Sequence, residues 1–128
     1  MNKRPLPTDA ELAILGVLWR RGPSTVRDVH EELQPSHGTG YTTVLKLMQI
    51  MAQKGLVARD ESQRSHVYQA QSGEEHTQRR LLGDLMDRAF AGSSSQLVMR
   101  ALSVKRASPE ELAEIRALLD GLEDRGAK

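Results

Sequence analysis

The side chains in this sequence that could do chemistry are hydrogen-bonding groups gathered on one short stretch. Thr42, Lys46, Gln49 and Gln53 fall at i, i+4, i+7 and i+11, with Thr43 beside them. On an α-helix those spacings share one face. From Tyr41 to Lys54 there is no carboxylate; the face offers hydroxyls, amides and one ammonium. Such groups hydrogen-bond base edges and phosphates in a DNA major groove, where an acid would be repelled. Taken alone, the same stripe also fits a solvated amphipathic helix. What flanks it decides between the two.

The opposite stripe must face a core. Val44, Leu47, Met48 and Met51 recur at helical spacing, and Gly55 supplies a left-handed cap. Before it, Thr8-Asp9-Ala10-Glu11 is a capping box that opens a helix carrying Leu12, Leu15, Leu18 and Trp19, with Ile14 close by. Arg20-Arg21-Gly22-Pro23 closes that helix with cations, a glycine and a proline. A second short helix begins at Ser24-Thr25, lines up Val26, Val29 and Leu33, and stops at Pro35. Three helices in this order form a helix-turn-helix arrangement. Leu56 to Glu61 and Ser65 to Ala70 read as a hairpin around Ser62-Gln63-Arg64, a wing with an arginine at its tip. Such an arginine serves a phosphate or minor-groove contact, or simply a soluble turn.

From Ser72 the pattern is purely helical. Leu81, Leu82, Leu85, Met86, Ala89 and Phe90 mark a long helix, and Gly92-Ser93-Ser94-Ser95 breaks it. A short helix follows with Leu97, Val98, Ala101 and Leu102. Ser108-Pro109-Glu110-Glu111 caps a last helix carrying Leu112, Ile115, Leu119 and Leu122. So small a helical region struggles to bury its apolar stripes alone, and a second copy is the simplest cover. The expected architecture is mainly α: a winged helix over residues 1–71, three helices plus a β-hairpin, then a three-helix dimerisation region over 72–128.

Composition bounds the rest. Nine cations against seven carboxylates precede Ser72 and nine against ten follow, so a +2 lobe joins a −1 lobe and the total is +1. Overall charge does not argue for nucleic acid, and its asymmetry favours the N-terminal lobe only slightly. The absence of cysteine removes disulfides, thiolate metal sites and thiol catalysis. No apolar run suits a membrane span, and Met1 to Pro7 lacks a signal-peptide core, so a cytoplasmic protein with a frayed basic arm is expected. Four aromatic residues are too few for a base-stacking platform. His30, His37, His66 and His76 are scattered, and the paired glutamates suit first turns of helices, not acid–base catalysis. No enzyme, metal or cofactor is expected.

Ala10 to Gly22, Tyr41 to Met48, Lys54 to Val57, Arg64 to Tyr68 and Ser108 to Ile115 together resemble the penicillinase-repressor family. The resemblance covers residues 8 to 122. It implies a dimeric winged-helix repressor that binds palindromic operators of antibiotic-resistance genes. It also implies a membrane-bound sensor-protease upstream, which relieves repression by triggering cleavage in the dimerisation region. Thr43 matches the family's recognition-helix threonine. Leu45 stands where family members carry a base-contacting arginine, and Lys46 is the neighbouring cation. The family's Asn-Phe scissile bond aligns with Arg100-Ala101 here, a departure that leaves other routes of inactivation open. The metal-responsive branch uses C-terminal cysteines, which this chain lacks.

The resulting expectation assigns Thr42, Thr43, Lys46 and Gln49 to base readout, and Tyr41, Lys54, Arg59 and Arg64 to the backbone or a minor groove. Leu97, Val98, Ala101, Leu102, Leu112, Ile115, Leu119 and Leu122 form the dimer interface. Two rivals stay open: a winged-helix regulator sensing a small molecule between its lobes, and a winged-helix interaction module that does not touch DNA.

Overall fold

The computed structural model describes residues 5–126, with Ser36 and His37 described by their backbone alone. Residues 1–4 of the basic arm, the last two residues and the His37 side chain lie outside the described residues.

Helix α1 (Asp9–Arg21) starts where its sequence requires. The Glu11 amide donates to Thr8 Oγ1 at 3.2 Å, and the Thr8 amide donates back to Glu11 Oε1 at 2.9 Å. It ends at Gly22, whose φ of 91° a residue with a Cβ rarely adopts, while the Gly22 amide donates to the Leu18 carbonyl. The buried face is Glu11, Ile14, Leu15, Val17 and Leu18. It is centred farther round the helix than the sequence stripe suggested, so Leu12 and Trp19 sit half-buried at its flank. Trp19 gains there an acceptor for its indole N–H, the Ser72 carbonyl at 2.9 Å.

Both ends of the second helix depart from the sequence reading. Ser24–Thr25 is not its first turn but a two-residue strand, β1, and α2 runs Val26–His37 with Pro35 inside it. Thr25 is the N-cap, exchanging hydrogen bonds with Asp28 in a second capping box (3.1 Å each way). Those bonds, the Thr25 amide first, hold the Asp28 carboxyl below its ordinary value with help from Arg21 and Arg27. Pro35 is tolerated because it falls in the last turn, on an exposed surface where water can serve the Glu31 carbonyl left without its amide partner. The helix closes instead at left-handed Gly38.

Helix α3 (Tyr41–Lys54) ends on Gly55 at φ 82°, as its sequence predicts. The hairpin strands β2 (Val57–Asp60) and β3 (Val67–Ala70) are shorter than the sequence runs, and β1 adds to them in the order β1-β3-β2, all antiparallel. Ser24 pairs with Tyr68, and Val57 pairs with Ala70. The core between α1, α2, α3 and this sheet holds Ile14, Val17, Val29, Val44, Met48, Met51 and Tyr68, each at most 1% exposed.

The remaining elements are α4 (Glu74–Ala89), α5 (Ser94–Val104) and α6 (Pro109–Gly126). Ser93 caps α5, and Ser108 caps α6 through a third reciprocal pair with Glu111. The chain divides into two compact units, Met1–Gly83 and Asp84–Lys128. The first runs past the 71/72 division drawn from the sequence, since the opening turns of α4, with buried Thr77, belong to it. In the second, neither α5 nor α6 contains a buried residue.

Candidate nucleic-acid interface

Helix α3 turns Val44, Met48 and Met51 inward, and that orientation fixes what faces out. Thr42, Thr43, Lys46, Gln49 and Gln53 are all exposed. None of these side chains makes a hydrogen bond or ion pair among the described residues, so their donors and acceptors are available. On the helical wheel Thr42, Lys46, Gln49 and Gln53 lie opposite the core stripe, whereas Thr43 lies about a quarter-turn to one side. The flank on the other side, Tyr41, Leu45 and Gln49, borders an open groove of about 450 Å³.

That groove lies beside the stripe. Thr25, Val26 and Arg27 from the start of α2 and Arg59, Arg64, Ser65, His66 and Tyr68 from the hairpin line the rest of it. Three guanidiniums therefore meet there, and no carboxylate lines it. Arg27 was not singled out by sequence reasoning; in the chain it is one polar residue on a short helix, and only the pairing of β1 with β3 brings α2's first turn beside the wing. Tyr41, 46% exposed, also meets the edge of His30 on α2, with ring centres 5.8 Å apart and nearly perpendicular.

Two expected backbone contacts are already engaged within the protein. Lys54 Nζ sits 2.8 Å from Glu11 Oε2, and that carboxylate is 2% exposed. Burial pushes the Glu11 carboxyl up, but the Lys54 ammonium and the Thr8 amide outweigh it and leave it below its ordinary value. Lys54 thus neutralises a buried acid, which removes it from the set of free cations. Arg59 pairs with Glu61, whose Oε2 lies 2.6 Å from its Nη2 and 2.7 Å from its Nε, and neighbouring Tyr68 and Glu61 hold its guanidinium more firmly protonated. Its charge is partly answered. Arg64 is exposed and makes no ion pair among the described residues.

In the second unit the residues assigned to a dimer interface lie on the surface. Val98, Leu102, Leu119 and Leu122 are 46%, 38%, 51% and 49% exposed; Ala101 is exposed, and Leu97, Leu112 and Ile115 are partly covered. Met99, Val104 and Leu118 extend this apolar surface. Arg100 and Ala101 are exposed within α5. Among the described residues no group of His, Asp or Glu could hold a metal ion, and no helix is long and apolar enough to cross a membrane.

Comparison with known proteins bears on the family and the fold. The family model described as the penicillinase repressor matches residues 7–121. The transcriptional regulator BlaI of Mycobacterium tuberculosis is 34% identical over 116 residues, 90% of this chain and 83% of that protein. The penicillinase repressor of Bacillus licheniformis is 23% identical over 94% of each chain. Among solved structures, Bacillus licheniformis BlaI in monomeric form with the blaP half-operator superposes with a TM-score of 0.50 at 25% identity. It covers 59% of this chain and 92% of that one.

Proposed function

This chain belongs to the penicillinase-repressor family, and we propose that it represses transcription as a homodimer on a palindromic operator. The observation that carries the reading is the outward face of α3, exposed, free of carboxylates and unengaged by the protein's own groups. Thr42, Lys46 and Gln49 read base edges from the centre of that face, and Thr43 reads from its side. Tyr41 and Arg64 hold the backbone beside it. Arg59 joins them only with the charge that Glu61 leaves it, and Lys54 stays with Glu11.

The exposed apolar faces of α5 and α6 supply the second copy. Each leucine side chain taken out of water contributes roughly 1.5–3 kcal/mol, and two-fold symmetry counts each one twice. Two α3 helices then meet half-sites about 34 Å apart, or a multiple of it. The protein acts in the cytoplasm, with its operator. Release follows a signal that opens the paired helices, such as a sensor-protease cutting Arg100-Ala101. That bond lies inside α5, so cleavage requires the helix to unfold locally.

Selection of bound duplexes from a random pool, followed by sizing of the complex, tests the proposal. A palindromic consensus carrying two chains is expected. Recovery of no enriched sequence, or of one chain on an asymmetric site, would overturn it.

A further inference from the structure

The groove beside α3 is not explained by base readout, because it lies on the helix's flank toward α2 and the hairpin. Its charge is unbalanced. Arg59 has Glu61, but Arg27 and Arg64 make no ion pair or hydrogen bond among the described residues. The carboxylate nearest Arg27 in sequence, Asp28, is already held by Arg21 at 3.2 Å and by the Thr25 amide. A chain whose net charge is only +1 has thus placed in one concavity that no acid lines two guanidiniums without an ion pair among the described residues, Arg27 feeling Asp28 only at longer range. Like charges so arranged repel one another, and an anion entering between them relieves the repulsion. Its lining also carries apolar side chains, half-buried Leu45 from α3 and buried Val26 from α2. Guanidiniums interspersed with apolar side chains suit a chain of phosphates joined by sugars.

We propose that this groove seats one phosphodiester strand of the bound duplex. Arg27 from α2 and Arg64 from the hairpin loop hold its phosphate oxygens, and Leu45 packs under the deoxyribose. The inference rests on the DNA-binding reading. It adds Arg27 as a binding residue, gives Leu45 a role at a position without a cation, and assigns Arg64 to a phosphate and not to the minor groove. Guanidinium suits the task, since its planar fork meets two phosphate oxygens at once.

The test compares Arg27→Gln, Arg64→Gln and their combination with the unaltered full chain, by fluorescence anisotropy on the selected duplex and on a random one across a salt series. Arg106→Gln, in the α5–α6 connection, controls for net charge. Each groove substitution is expected to lower the slope of log K against log salt by about 0.9, and affinity by roughly five-fold near 0.15 M salt. The loss should be equal on both duplexes. Denaturation midpoints should hold or rise, since a repulsion has been removed, so a loss of binding is not a loss of fold. If the unaltered chain binds neither duplex, the DNA-binding reading itself fails. If it binds and Arg27→Gln leaves slope and affinity unchanged, the groove assignment fails alone. An equal change in Arg106→Gln, or a loss confined to the selected duplex, would likewise overturn it.

Discussion

Replacing Lys54 by methionine separates a folding role from a DNA-binding one. In the unaltered protein Glu11, 2% exposed, meets an ammonium 31% exposed at 2.8 Å. Methionine keeps most of the aliphatic stem and removes the charge, leaving the buried carboxylate with the Thr8 amide as its remaining donor. Breaking one half of a buried pair costs about 3–5 kcal/mol. Because water reaches the lysine end, the cost falls below that range, to about 2–3 kcal/mol. In a unit of this size that lowers the thermal midpoint by about 10–20 °C. Adding Glu11→Gln should recover most of the loss, since an amide still accepts from Thr8 and needs no countercharge.

The pH dependence gives this prediction its sign. With Lys54 present, the folded Glu11 carboxyl lies below its ordinary value of 4.5, so its stabilisation is complete above that value and is lost as pH falls through the depressed one. Without Lys54, only the Thr8 hydrogen bonds oppose burial, so the folded carboxyl titrates higher than in the unaltered protein. The gap between the two proteins therefore widens as pH rises and the carboxyl ionises, and the two converge on acidification. Circular dichroism against urea at neutral and acid pH reads both effects, and DNA titration should show an unchanged salt slope. Equal midpoints at pH 7, or a slope lowered by about 0.9, would return Lys54 to a phosphate and refute the reasoning.

Other outcomes follow from the same structure. Lys46→Ala should weaken binding to the selected duplex by about 1–3 kcal/mol and to random duplex much less; equal losses in a competition assay would remove it from base readout. Leu119→Glu should raise the dimer dissociation constant by at least about a hundred-fold in sedimentation velocity, because the charge must be desolvated twice at a symmetric interface. An unchanged constant would exclude that face. Thr25→Ala removes the hydroxyl that accepts from the Asp28 amide, while the residue-25 amide can still donate to Asp28, and should cost about 1 kcal/mol in chemical denaturation. A cost near zero would mean that water serves the Asp28 amide equally well.

Much of this fold was legible because local signals agreed with one another. The capping boxes at Thr8 and Ser108, the glycine stop at Gly55 and the inward stripe Val44-Met48-Met51 lie where spacing places them. The readings that moved depend on partners distant in sequence. Ser24–Thr25 is too short to show an alternation, and its pairing with β3 is what makes it a strand. Pro35 breaks a helix in general, but a proline in the final exposed turn removes one bond that water replaces. Lys54 and Glu11 are 43 residues apart, so the sequence shows a cap and a free cation where the fold makes an ion pair. Arg27 is silent for the same reason, since its role depends on which elements surround it.

Trp19 is the sole tryptophan of the chain, and its indole N–H is held by the Ser72 carbonyl. The protein therefore carries its own optical reporter for one location, where the segment following the hairpin is pinned to α1. Indole emission moves to longer wavelength when water replaces an internal partner. A red shift that precedes the loss of helical ellipticity would time the release of that anchor ahead of global unfolding, without an attached dye.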